Sequence, residues 1–219
     1  MKISLWLLPP EPIRLSLQGN IDAIASRASL PTFVPHVTIL GGIVCPADTK
    51  TSSDQWADDL LAELRLTLTC VEGIPCRFRH EGPIAMKEEG GSIKWNQSCI
   101  SVMERNDRFR RAIELTHDAV CKVNDRMEGS LDSDGVNDGD AFDWRTALKP
   151  PICEPHYSHA YGSDAGLLHV KIGNDDDSPL LVQTPPDFVS QEAMLIWTYP
   201  PSVDGVSNWK EVGRCKLFS

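Results

Sequence analysis

The chain has 219 residues, a hydrophobic share of 41% and a formal net charge of −10. That length and composition suffice for one sizeable core, and no segment approaches the roughly 18–20 uninterrupted apolar residues of a membrane span. The acid excess argues against gripping a long nucleic acid, because such affinity rests on Lys and Arg contacts that release counterions, but it is compatible with a small phosphorylated molecule.

In chain order, Lys2–Leu8 reads as a first strand stopped by Pro9-Pro10. Its apolar run is shorter than the roughly 7–15 residues of an export signal core, so none is expected. Apolar residues at Ile13, Leu17, Ile21, Ile24 and Ala28 give helical spacing over Ile13–Ala28, with Gly19-Asn20 weakening the middle. Phe33–Gly41 is expected to be a strand ended or kinked by Gly41-Gly42. Ser53 is a suitable N-cap for a helix to about Arg65 that buries Trp56, Leu60, Leu61 and Leu64. Strands are expected over Arg65–Val71, Cys76–Met86 and Ile93–Val102, the last two joined by a turn at Glu89-Gly90-Gly91. Asn106–Arg126 reads as a second long helix with Phe109, Ile113, His117 and Val120 on one side.

Asp125–Asp143 is rich in acids and glycine and is expected to be an exposed, flexible acidic loop. Its Asp132-Ser133-Asp134-Gly135 and Asp138-Gly139-Asp140 look like calcium-loop fragments, but the ligand register and the closing glutamate are absent. Cys153–Gly162 is the next strand, followed by Leu167–Ile172, a polar turn at Asn174–Asp177, a short segment near Leu180–Val182, and strands at Glu192–Tyr199 and Lys210–Phe218. This order predicts an α+β protein with antiparallel sheet, residues 1–219 forming one domain. The seven cysteines are odd in number and contain no Cys-x-x-Cys pair, so reduced thiols are expected, with a Cys70–Cys76 bridge or one tying the two lobes as alternatives.

Two short motifs carry the chemistry. His36-Val37-Thr38 and His156-Tyr157-Ser158 each follow a proline, one in each half of the chain. Alternate side chains of a strand share a face, so each histidine lies beside the hydroxyl two residues later. Facing each other across a groove, two such strands would offer two imidazoles to divide general base and general acid work, and two hydroxyls to hold the oxygens of an anion. Phosphate ester chemistry needs that set.

At these residues the chain resembles the 2H phosphoesterase superfamily, defined by two His-x-Thr/Ser motifs, and within it the fungal and plant cyclic phosphodiesterases. Ser4-Leu5-Trp6-Leu7-Leu8-Pro9-Pro10 looks like that group's first strand, Pro35-His36-Val37-Thr38 like its first motif and Pro155–Gly162 like its second. The resemblance implies a bilobal, pseudo-symmetric α+β fold with two antiparallel sheets lining a groove and helices outside. It implies metal-independent and cofactor-free hydrolysis of nucleoside 2′,3′-cyclic phosphates to 2′-phosphates, and of ADP-ribose 1″,2″-cyclic phosphate, a by-product of tRNA splicing, to ADP-ribose 1″-phosphate. It makes His156 the base and His36 the acid, with Thr38 and Ser158 on the phosphate. Tyr161 matches a family tyrosine that approaches the substrate, although strict alternation puts it on the face opposite His156 and Ser158: either Gly162 relaxes the strand, or Tyr161 is core. A monomer is expected, in the cytoplasm or, as for some fungal relatives, associated with the Golgi. The departures are His159, where the family usually has an apolar residue, and the long acidic loop.

Alternatives stay open. An RNA-end-processing member of the superfamily, acting on RNA 2′,3′-cyclic phosphates or 2′,5′ linkages, would use the same residues, and a non-catalytic nucleotide-binding module would keep the groove. His156 and His159 have His-x-x-His spacing, yet on a strand they face opposite ways and no acid sits at ligand spacing, so no metal is expected. Gly91-Ser92-Ile93 lacks the serine-hydrolase elbow. His80, His117 and His169 are isolated. Trp6, Trp95, Trp144 and Trp197 could stack a base, against a default of core packing.

Overall fold

In the computed structural model, the residues described are 2–45, 52–80, 84–85, 97–129, 155–162, 182–199 and 205–218. They form a mixed α+β structure with antiparallel sheet. Three helices, α1 (Glu11–Ala28), α2 (Ser53–Thr67) and α3 (Asp107–Gly129), accompany nine strands: β1 (Lys2–Leu8), β2 (Val37–Val44), β3 (Ile74–Cys76), β4 (Ile84–Ala85), β5 (Gln97–Val102), β6 (His156–Tyr161), β7 (Phe188–Ser190), β8 (Glu192–Trp197) and β9 (Lys210–Lys216). A seven-stranded sheet runs β4-β5-β6-β2-β1-β8-β9, and β3 pairs with β7 in a second, two-stranded sheet. No helix among the described residues is long and apolar enough to cross a membrane.

The central strand β1 is buried along six of its seven residues. Ile3, Leu5 and Leu7 join the main core with Val37 and Ile39 of β2, Ala193 and Leu195 of β8, and the buried stripes of α2 and α3. Trp6 and Leu8 alternate to the other face, where they meet Met194 and Ile196. Trp56, Leu60, Leu61 and Leu64 of α2 are buried as their spacing predicts, and the Trp56 Nε1–H donates to Asn124 Oδ1 of α3 at 2.9 Å.

Several boundaries differ from the sequence reading. Glu11 starts α1 two residues earlier, since Pro12 in its first turn costs no helical bond there. The cap of α2 is Ser52, whose hydroxyl accepts from the Gln55 N–H at 3.2 Å, rather than Ser53. Arg65–Val71 is not a strand: α2 continues to Thr67 and tightens into a 3₁₀ turn at Leu68–Cys70. Leu68, four residues beyond Leu64, prolongs the helical stripe and is fully buried, while Leu66 is 75% exposed. The expected strand Cys76–Met86 is instead two short strands, with Phe78 bridging to Met103 between them. Residues 125–129 belong to α3 rather than to the acidic loop. The rest of that loop, and the expected elements at Glu89–Gly91 and Leu167–Asp177, lie outside the described residues. Cys70 and Cys76 are not bridged to each other.

Candidate active site

The two motif strands do not face each other across a gap between separate sheets. They are neighbours in one sheet, antiparallel, meeting at the single pair Val37↔Tyr157. That register sets the site. Continued one residue either way from that pair, the antiparallel register sets His36 opposite Ser158 and Thr38 opposite His156, and strand alternation turns all four to the face away from Val37 and Tyr157. The histidines are then diagonal neighbours, whose α-carbons in an antiparallel pair lie roughly 7–8 Å apart. A tetrahedral phosphate bound between them would have an imidazole on either side and a hydroxyl from each strand. Thr38 is half-buried, whereas His36, His156 and Ser158 are buried.

The His36 ring is held on three sides. Its Nδ1–H donates to the Val34 carbonyl at 2.6 Å, and because a carbonyl only accepts, the second nitrogen, Nε2, carries the lone pair in the neutral ring. Nε2 lies 3.3 Å from the Tyr161 hydroxyl, which donates to it. Trp6 stacks flat on the ring, with centroids 3.5 Å apart and planes at 7°. Burial pushes the His36 pKa down to about 3; the Val34 bond opposes this, and the charge of neighbouring His156 adds to it. That coupling also places the two imidazoles within electrostatic reach of one another. In the free protein His36 is neutral, with its basic nitrogen directed at Tyr161.

Tyr161 is buried with the main core cluster and also brings its hydroxyl to within 3.3 Å of His36 Nε2. Strict alternation fails because the pairing of β6 with β5 shifts register around Cys99↔Ala160, and such a bulge re-aims the side chains beyond it. Tyr161 thereby reaches His36, packing edge-on against Phe33 at 4.5 Å and Trp209 at 5.3 Å. His159 stays on the opposite face from His156, beside Tyr157 with ring centroids 4.9 Å apart, and its Nε2 shares a 2.8 Å hydrogen bond with Ser101 Oγ. Burial pushes its pKa down to about 3, so it is a neutral core histidine.

Of the candidate base-stacking tryptophans, Trp6 is 2% exposed with one face taken by His36, and Trp197 is half-buried against the core, its ring 6.4 Å from that of Trp56. Trp95, Trp144 and His169 lie outside the described residues. The aromatic surround of His36, Trp6 with Phe33 and Trp209 behind, was not legible as such: it requires knowing that Trp6 pairs with Thr38. The one available sign was that Trp6 alternates with the apolar core residues Leu5 and Leu7.

This chain folds like a solved bacterial protein. TT0787 of Thermus thermophilus is similar over 99% of this chain and 98% of its own, with a TM-score of 0.54 and 15% sequence identity. No protein-family model matches the chain, and no curated protein does.

Proposed function

We propose that the protein is a metal-independent cyclic phosphodiesterase of the 2H phosphoesterase type, its two motif strands meeting at the pseudo-symmetry axis of a bilobal fold. The observation that carries this reading is the pairing of β2 with β6 at Val37↔Tyr157, a register that makes His36 and His156 diagonal neighbours with Thr38 and Ser158 on the same face. The sequence resemblance to fungal and plant cyclic phosphodiesterases supports the substrate class: nucleoside 2′,3′-cyclic phosphates and ADP-ribose 1″,2″-cyclic phosphate.

Hydrolysis of a 2′,3′-cyclic phosphate to the 2′-phosphate adds water at phosphorus and breaks the bond to O3′. One histidine takes a proton from the attacking water, and the other gives one to the departing O3′. His156 is the base and His36 the acid by resemblance. Because burial keeps His36 neutral in the free protein, this order requires a proton to enter with the substrate, whose negative charge beside Nε2 stabilises the imidazolium. Thr38 and Ser158 donate to the non-bridging oxygens, where charge redistributes in the transition state.

The test is incubation with adenosine 2′,3′-cyclic phosphate in the presence of EDTA. The expected product is 2′-AMP, and His36→Ala and His156→Ala are each expected to lose about 10²–10⁴ in kcat, the usual worth of one positioned proton transfer. Formation of 3′-AMP would redirect the reading toward ribonuclease-like regiochemistry. Absence of product would favour an RNA-end substrate or a binding module, and full activity in either variant would overturn the paired-histidine mechanism.

A further inference from the structure

The packing of Trp6 on His36 has a geometry that the proton-transfer roles do not by themselves require. Two neutral aromatic rings avoid a flat, face-to-face sandwich because their quadrupoles repel, and prefer an edge-on or offset approach. Yet the Trp6 and His36 planes differ by only 7° with centroids 3.5 Å apart, while the other ring contacts of this cluster are edge-on: Trp6 with Trp209 at 61°, Phe33 with His36 at 74°, Tyr161 with Trp209 at 79°. The flat arrangement becomes attractive when the upper ring carries positive charge, since a cation over an indole face interacts with its negative quadrupole.

The surroundings keep the indole in that position. Trp6 is fixed on β1 between its partners Thr38 on β2 and Met194 on β8, and its apolar neighbours Leu8, Met194 and Ile196 are all buried. The titratable groups facing His36 are His156 and Tyr161, both on β6. Among the described residues, β1 and the segment before β2 bring Trp6, Phe33 and the Val34 carbonyl to the ring, and no carboxylate. An imidazolium here is stabilised by the Val34 carbonyl, by the Tyr161 oxygen once its hydroxyl turns to accept from Nε2–H, and by the Trp6 face.

Resting on the reading that His36 exchanges a proton during turnover, we propose that Trp6 is a positioning residue that holds the His36 ring in the plane needed for transfer at Nε2 and stabilises its protonated form. It touches the catalytic ring and not the reacting atoms.

Histidine-selective NMR titration from pH 8 to 4 with saturating inorganic phosphate, whose negative charge beside Nε2 raises the His36 pKa from its ligand-free position of about 3 toward the measured range, reads the effect without any turnover. Trp6→Leu is expected to lower the His36 pKa by about 0.5–1.5 pH units, the span from an exposed to a desolvated cation–π contact, and Trp6→Phe, which keeps a weaker π face, by less. Where activity is measured, the limb of the kcat profile that His36 governs should move to lower pH by a similar amount in Trp6→Leu, whether His36 acts as acid or base. Should Trp6→Leu fold poorly, Trp6→Phe still reports the direction. An unchanged or raised His36 pKa in the variants overturns the inference. Loss of activity in His36→Ala with no pKa change in the Trp6 variants would sink the role of Trp6 alone, whereas an active His36→Ala would sink the catalytic reading beneath it.

Discussion

Replacing His159 by Leu together with Ser101 by Ala should make the protein more resistant to acid. His159 is 4% exposed and its pKa is pushed by burial from 6.5 to about 3. In the unfolded chain the same ring titrates near its ordinary value, so between about pH 6.5 and 3 the unfolded state holds a proton that the folded state refuses. Stability therefore falls as pH drops through that window, by about 1.4 kcal/mol per pH unit for this group. By pH 4 the accumulated loss is about 3 kcal/mol, a large share of a typical folding free energy. Removing both hydrogen-bond partners leaves an apolar pair in place of an orphaned hydroxyl, which costs little at neutral pH. Urea unfolding at pH 7, 6, 5 and 4, followed by tryptophan fluorescence, should show the double variant within about 1 kcal/mol of the parent at pH 7 and about 3 kcal/mol more stable at pH 4. His36 contributes the same slope to both proteins and cancels in the difference, and Ser101→Ala alone, which keeps the imidazole, should retain the parent's slope. Parallel curves for parent and double variant would refute the reasoning.

Three further substitutions probe separate parts of the structure. Tyr161→Phe removes the hydroxyl that donates to His36 Nε2 and should lower kcat/KM on adenosine 2′,3′-cyclic phosphate by about 2–10-fold, the worth of one ordinary hydrogen bond, with the thermal midpoint held; an unchanged rate would remove Tyr161 from the site. Tyr157→Phe deletes a buried hydroxyl that has no hydrogen-bond partner among the described residues, so it should stabilise by about 1 kcal/mol in urea melts and leave kcat unchanged, because the ring lies on the face away from the motif side chains. Gly213→Ala drives a methyl into Leu61 of α2, where that helix packs on β9; a loss of about 1–3 kcal/mol is expected, and a much smaller one when the same change is made in a Leu61→Ala background, if the clash is its cause.

What could be read in advance followed from period. β1 and the stripe of α2 announced themselves because a single face buried along a whole element leaves a repeat that no loop imitates, and His-x-Thr/Ser places its histidine and hydroxyl on one face of any strand. Where that logic failed, a second element supplied the missing term. Arg65-Leu66-Thr67-Leu68 alternates like a strand, but Leu68 completes the buried row of Leu60 and Leu64, and the core that this row meets overrides the local alternation. Tyr161 stays undecided in the sequence for the same reason on a finer scale: strict alternation sends it to the core face, and only the pairing of β6 with β5 reveals the register shift beside it. The neighbour relation of β2 and β6 is of this kind as well. Either motif alone fixes what sits beside its own histidine; the one pair Val37↔Tyr157 decides that the second imidazole stands diagonally across from the first. The chemistry proposed for the site thus depends on a strand pairing between residues remote in the chain, and the environment that tunes His36 depends on a third strand, β1, which carries Trp6 to its face.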